Sequence, residues 1–570
     1  MNQKLQKNRL FSKIMGIAVL QLFFTLLCVD IGFAKGNINP ADISVKGKVA
    51  DAESGDGLPG VSVSVKGSTK GAVTDVNGDF SIAVIDSKSV LVFSYVGYTA
   101  QEVVVGSQTQ LNIRLSSDSK TLSEVVVVGY GTAKKTDITG AVKSVRSEEF
   151  NKGIINSPEQ LLQGKVAGVN VTSASGEPGS AQGITIRGPG GVRTGSTPLF
   201  VVDGLALDNS GTGGAMNPLT FLNPQDIESI DVLKDASATA IYGSRGANGV
   251  ILITTKKGKV GASSLNYSAS VGISEIARAL PVYSADEYRK AVPSVGGVLE
   301  DLKGNTDWQK EITRTAYTQN HNLTLGGGAG KLTYYASFGS QKQEGILKNN
   351  DLNRYTGRIN VSQKFWEDRL SVDVNLNASF TKNTRPPIGG MLGNAISTNP
   401  TYPAYDANEN PAVYPNLVNP LVSLKLEKDI TSTNRLIGNI SPSLKITKDL
   451  TYRLNYGIDN SNSVRDLESL PNAVPLQDGR LETIYANNSN SLIENYLTYS
   501  HDWKDHSLTA LAGHSYQKFF LQGRSSSINK FPISDIEPLY NPGLGQELTL
   551  ANNRPSARTV AVNKYLFLNW

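Results

Sequence analysis

The chain has 570 residues, several times the usual domain, with only 18 % charged residues, 55 glycines and more tyrosine (22) than phenylalanine (16). Lys and Arg outnumber Asp and Glu by 55 to 50, and much of that excess sits in the first 34 residues, where Lys4, Lys7, Arg9 and Lys13 face Asp30 alone. A near-neutral remainder has no field to gather nucleic acid, and because the lone Cys28 also lies in that segment, the rest has no disulfide framework, no thiolate nucleophile and no Cys-ligated zinc.

The basic start is followed by an apolar run, Ile14 to Val29, broken only by Gly16, Gln21 and Thr25. Gly32 and Ala34 then stand at the spacing a signal peptidase reads, so residues 1–34 are expected to be a cleaved signal peptide. The run is short for a transmembrane anchor. A lipidated cysteine needs a small residue before it, and Leu27 precedes Cys28. Beyond Ala34 no run of apolar residues is long enough for a spanning helix.

Over 42–117, Ile43-Val45-Gly47-Val49, Val61-Val63-Val65, Phe80-Ile82-Val84, Val90-Val92 and Leu111-Ile113-Leu115 alternate with polar residues, which half-buries each strand. Turn residues such as Ser54-Gly55-Asp56-Gly57 and Asn77-Gly78-Asp79 separate them. Short strands at this spacing predict a small β-sandwich. A linker at 118–134 contains Glu124-Val125-Val126-Val127-Val128. The valines fit either a buried strand of the next domain or an extended segment that pairs with a sheet edge of another protein.

From 135 to 258 the pattern is mixed α/β. Ser157-Pro158 and Asn223-Pro224 read as capped helix starts. Strands are expected at Val166–Val171, Ile184–Arg187, Leu199–Val202, Ser229–Leu233 and Val250–Thr255, with a helix from Ala236 to Tyr242 and a glycine-rich turn after it. After Lys259 long alternating strands take over. Leu370, Val372, Val374, Leu376, Ala378 and Phe380 alternate with Ser371, Asp373, Asn375, Asn377, Ser379 and Thr381. Tyr355, Ile359, Val361 and Phe365 do the same against Arg358, Asn360, Ser362 and Lys364. One apolar and one strongly polar face per strand suits a membrane barrel with lipid outside and water inside. Short tips at Trp366-Glu367-Asp368, Thr447-Lys448-Asp449 and Trp503-Lys504-Asp505 contrast with long Asn/Pro/Gly-rich connections at 275–318, 382–434, 461–490 and 518–557, the asymmetry of an outer-membrane barrel. About ten strands are expected over 259–570.

These residues carry a resemblance. Gly47, Leu58-Pro59-Gly60, Asn77-Gly78-Asp79-Phe80 and Val96-Gly97-Tyr98 resemble the carboxypeptidase-regulatory-like domain. Arg187-Gly188, Asp203-Gly204, Asp231-Val232-Leu233-Lys234-Asp235 and Tyr242-Gly243-Ser244-Arg245-Gly246-Ala247-Asn248-Gly249 resemble the plug domain of TonB-dependent outer-membrane transporters. In this order the motifs resemble the SusC/RagA class. The resemblance implies that Glu124 and Val125–Val128 form the TonB box. It also implies that a TonB–ExbB–ExbD complex drives import of oligosaccharides or peptides by displacing the plug, and that a SusD-like surface lipoprotein is a partner.

The fold expected is mainly β: a small sandwich, a mixed α/β plug, and an antiparallel transmembrane barrel in contact with outer-membrane lipid. A lumen that holds a folded plug needs roughly 22 strands, so the chain is expected to be the first part of a longer one. The competing function is a glycan-binding receptor or adhesin without transport. No enzyme, cofactor or metal site is expected. None of His321, His501, His506 or His514 has Glu three positions on, as a zinc carboxypeptidase needs, and no Gly-x-Ser-x-Gly occurs. Gly188-Pro189-Gly190-Gly191 and Gly326–Lys331 lack a P-loop's Ser or Thr and read as loops or hairpins. The substrate-contacting residues are not identifiable from the sequence.

Overall fold

A computed structural model describes residues 43–570 except 53, 67, 69–70, 96–97, 117–124, 129–130, 135–141, 174, 181, 189–195, 208–218, 236–239, 415–418, 473–476, 504–505, 535, 553–555 and 570. The expected signal peptide, Glu124 and the start of the helix expected at Ala236 therefore lie outside the described residues.

The described residues of the first unit form seven strands, β1 (Ile43–Asp51), β2 (Ser62–Val65), β3 (Gly71–Val73), β4 (Asp79–Val84), β5 (Val90–Ser94), β6 (Gln101–Val104) and β7 (Gln110–Leu115). They form two sheets, ordered β4-β1-β7 and β3-β2-β5-β6. Alternation puts Val45, Val49, Phe80, Ile82, Leu91, Phe93, Leu111 and Ile113 into one core, where Phe80 meets Phe93 edge-on at 5.3 Å. Strands β3 and β6 were not visible as alternation because each is only three or four residues long.

In the second unit, β8 (Val125–Val128) pairs antiparallel with β9 (Gly131–Lys134). The following segment builds a five-stranded sheet from β10 (Val142–Arg146), β13 (Leu199–Val202), β14 (Leu205–Ala206), β15 (Ile227–Leu233) and β16 (Val250–Thr255), in the order β10-β15-β16-β13-β14. A separate hairpin joins β11 (Val169–Ser173) to β12 (Gln182–Ile186). Both expected helix starts prove to be single 3-10 turns, Pro158–Leu162 and Pro224–Asp226, the second capped by the Asn223 side chain accepting from the Gln225 amide. Residues Ala240–Gly246 form two such turns across a kink at Gly243, in place of the end of an α-helix.

The wall begins with β17 (Gly261–Ser274) and continues through β18 (Ala316–Ala329), β19 (Leu332–Glu344), β20 (Asp351–Phe365), β21 (Leu370–Arg385), β22 (Glu427–Lys445), β23 (Leu450–Ser469), β24 (Gly479–Trp503) and β25 (His506–Phe531). Each pairs antiparallel with the next. Strands β26 (Glu547–Asn552) and β27 (Ser556–Asn569) both pair with β25, along its far and near halves, and so occupy one position. Ten strand positions result, as expected. Gly326–Gly330 lies in β18 and the turn to β19.

Two of the connections expected to be long are largely strand: β23 runs to Ser469, β24 starts at Gly479 and β25 runs to Phe531. Beyond the lipid band both faces meet polar surroundings, so pairing continues without apolar alternation. The other two connections fold. Helices α1 (Ala285–Ser294) and α2 (Trp308–Ile312) lie in one, α3 (Ile388–Ser397) and α4 (Pro420–Leu426) in the other. Trp308, Met391, Tyr402, Leu421 and Leu424 pack α2, α3 and α4 into a shared core. A reciprocal capping box between Ser284 and Glu287 starts α1. Among the described residues no helix is long and apolar enough to cross a membrane.

Candidate functional site

Parity along the wall strands decides what faces the plug. On β20, Arg354, Thr356, Arg358 and Asn360 are buried, while Tyr355 and Ile359 are 45 % and 46 % exposed. This inverts a soluble sheet and is the signature of a wall with water and protein inside and lipid outside. From Tyr355 to Phe365 the strand rises roughly 33 Å; at a tilt near 40° that spans about 25 Å, the height of an outer-membrane apolar band. Tyr355 stacks on Phe380 at one edge of this band.

The plug lies against the polar face and is held there by side chains distributed around it. The hairpin β13–β14 turns at Asp203-Gly204, both with positive φ (48° and 86°), as a two-residue type I′ turn requires. That turn aims the Asp203 carboxylate outward. It accepts from the Thr255 amide at 3.0 Å, the Thr255 hydroxyl at 2.6 Å and Arg358 Nη2 at 3.2 Å. Both charged side chains are buried, so each is the other's compensation, and removing one strands the other.

A second anchor is Asp226, fully buried beside the capped turn. Tyr335 Oη donates to its Oδ1 at 2.9 Å and Ser337 Oγ to its Oδ2 at 2.7 Å, both from β19. Burial pushes this carboxyl above its ordinary range, while the two donors and the charges of Arg358 and Lys256 oppose that. Further hydrogen bonds surround the anchors: Asn223 Nδ2 to Asn322 at 3.0 Å, Arg354 Nη1 to the Thr220 carbonyl at 2.8 Å, and Gln517 Nε2 to the Ala206 carbonyl at 3.0 Å. Arg435, held by two bonds to Asp459, covers the Phe221 ring at 4.5 Å.

The residues singled out in the sequence separate into two groups. Asp203 and Arg245 reach the wall, the latter through Gln517 at 2.6 Å while also holding the Leu207 carbonyl at 2.9 Å. The others bind the plug to itself. Arg187 pairs with Asp235, Lys234 donates to the Ala167 carbonyl at 2.7 Å, and Asn248 donates to that of Thr197 at 3.4 Å. Asp231 is buried in β15 and Tyr242 packs beside Leu233 and Val250. Gly188, Gly243 and Gly249 have positive φ, and a Cβ on Gly249 would stand 2.6 Å from Ile186 Cδ1. Gly246 ends the kinked turn before β16. Of the expected TonB box, Val125–Val128 form β8.

Asp226, Asn223, Tyr335 and Arg354 were missed as site residues. The alternation that marks Tyr355 and Ile359 as outward marks Arg354 as inward, so parity could have named it; Asp226 sits in a turn without any period. Among the described residues no group of three or more His, Cys, Asp or Glu is placed to hold a metal ion.

Comparison with known proteins agrees with this arrangement. Residues 45–127 match the CarboxypepD_reg-like domain and residues 134–250 the TonB-dependent Receptor Plug Domain. The TonB-dependent receptor SusC of Bacteroides thetaiotaomicron is 40 % identical over 432 residues, covering 71 % of this chain and 43 % of that protein. The TonB-dependent receptor P3 of Formosa agariphila is 34 % identical over 510 residues, covering 86 % of this chain and 50 % of that one. The structure of the RagAB peptide importer in its open-open state superposes with a TM-score of 0.65 at 26 % identity, over 78 % of this chain and 54 % of that one. The chain thus spans about half the length of the curated relatives it matches. A regulatory-like sandwich, a plug and the polar-lined wall around it, in this order and with these relatives, place the chain in the SusC/RagA class of TonB-dependent outer-membrane transporters.

Proposed function

We propose that the protein imports oligosaccharides or peptides across the outer membrane, with TonB, energised through ExbB–ExbD by the inner-membrane proton gradient, displacing the plug. The observation that carries this is how the plug is held. Its contact with the wall includes hydrogen bonds and two buried carboxylates, from Gln225 against Ser268 on β17 to Arg245 against Gln517 on β25, and adds only Ile437 of β22 and Leu492 of β24 to the plug's apolar core. Each such bond contributes only about 0.5–1.5 kcal/mol net, because water replaces it on release. The rest of that core is built from the plug's own residues and would survive the move. A plug held this way blocks passive flow and still yields to a pull.

In this reading residues 1–34 are a signal peptide, 42–117 and the linker at 118–134 are periplasmic, and Glu124–Val128 is the TonB box. The folded connections face outward, where a SusD-like lipoprotein delivers cargo. Strand β8 is short and β-prone and lies immediately ahead of the plug, which suits pairing with a TonB strand. Proline at Val126 removes a ladder donor and fixes φ. Val126→Pro is expected to abolish uptake while surface binding of cargo persists; normal uptake by that variant would overturn the assignment.

A further inference from the structure

On the side of the plug that faces the folded connections, a cavity of about 220 Å³ lies between the plug and strands β19–β22. The plug turn at Gly179 closes one side, its backbone so near the wall that a Cβ there would stand 3.1 Å from Leu352. The described residues that line it include eight Ser or Thr and five Asn or Gln, against one apolar side chain, Leu352, and no aromatic ring. Its charges are Arg354 and Arg385 with Glu177.

Two side chains here are fixed at one end and keep hydrogen-bonding capacity at the other. Asn383 donates Nδ2 to the Pro178 carbonyl at 3.1 Å, and Arg385 donates Nη2 to Thr431 Oγ1 at 3.1 Å. Asn383 Oδ1 and the neighbouring Gln343 Oε1 are buried with no hydrogen-bond partner among the described residues, and Arg385 Nε, also without a hydrogen bond, faces Asp429 Oδ2 at 3.9 Å. Two acceptors and a donor held in place ask for groups that both give and take hydrogen bonds, which is what a hydroxyl does. A peptide offers alternating amides but also side chains, and only Leu352 gives those an apolar surface. The volume is about seven times a water's share of the liquid, enough for a sugar ring. Without an aromatic platform the ring would be held by its edges.

We propose that this cavity binds one ring of an oligosaccharide through hydroxyl groups bonded to Gln343, Asn383 and Arg385, so that the cargo is saccharide rather than peptide. The inference rests on the import reading and adds the substrate class to it.

Protein purified from its native outer membrane is applied to an array of neutral and acidic oligosaccharides and to a parallel array of unmodified peptides. Binding to oligosaccharides, weakened about tenfold in Gln343→Leu and in Asn383→Leu, is expected. Thr431→Val and Asn383→Ala, which add no bulk, repeat the test if the leucine variants fail to reach the membrane. Binding to peptides alone overturns the proposal. So does oligosaccharide binding that none of the variants alters, which would leave the cavity to water. Uptake that persists in Val126→Pro breaks the import reading and leaves these binding results standing, so the two failures are distinguishable.

Discussion

In the plug, Phe200, Ile230 and Ile251 point into a shared core and are almost wholly buried; in the wall, Tyr355 and Ile359 point out while Arg354, Arg358 and Asn360 are buried behind them. The same alternation serves both, with opposite faces hidden. What differs is the medium each face meets. The plug's apolar residues escape water by packing on one another. The wall's outer residues meet lipid, and its inner polar residues meet the plug's turns and each other, as where Asn360 Nδ2 donates to Asn375 Oδ1 at 2.6 Å. Burial alone therefore does not identify the hydrophobic face of this chain. The contrast also separates two kinds of unit: the plug has an apolar core of its own, and the wall is a frame that meets it largely through polar side chains.

The strongest way to break that comparison is to truncate the same side chain on either side of it. Phe200→Ala in the plug should cost about 3–5 kcal/mol, because a rigid core keeps the cavity. Phe338→Ala on the outer face of β19, 55 % exposed, should cost no more than about 1–2 kcal/mol, since lipid refills the space and only part of the transfer energy is lost. Urea unfolding of the membrane-inserted protein measures both, and equal losses would mean that the outward face is packed against protein.

Legibility followed the same division. Ten wall positions were readable from period-two patterns such as Leu370 to Phe380, because lipid enforces the alternation there. Their far ends were not: 461–469 and 479–490 pair as strands, yet residues such as Asn460, Ser461 and Asn462 show no apolar alternation to betray it. Of the candidate site, Asp203 and Arg245 stood out because Asp-Gly and glycine-rich turns are local signals. Asp226 depends on Tyr335 and Ser337, 109 and 111 residues away. No local pattern encodes that meeting; it follows from wrapping the sheet around the plug.

A charge on the lipid face tests the inversion directly. Ile359 lies between Tyr355 and Phe365 on β20, within the apolar band, and Ile359→Arg should destabilise by about 2–4 kcal/mol. The native Arg358, one residue away, is tolerated because it points inward to Asp203. Reduced heat resistance of the folded form on gels would register the loss, whereas an unaffected Ile359→Arg would place that residue in an aqueous rim.

The smallest effect sharpens the inner side of the comparison. Glu159 sits on the 3-10 turn Pro158–Leu162 of the plug, 1 % exposed. Burial pushes its carboxyl up to about 7, against the opposing pull of backbone and Ser157 bonds and the Arg354 charge. In the unfolded chain it titrates near the ordinary glutamate value, so between that value and pH 7 the folded state keeps a proton that the unfolded state has released. Stability from this group is therefore full at low pH and falls as pH rises through the window, by up to about 3 kcal/mol at 1.36 kcal/mol per unit of pKa difference. Glu159→Gln is uncharged throughout and should lose this dependence. Thermal unfolding at pH 5 and pH 8 should therefore show a larger drop for the native protein than for the variant. Equal drops would mean that Glu159 stays ionised across the window, compensated by Arg354, and that the inner face carries a third charged anchor beside Asp203 and Asp226.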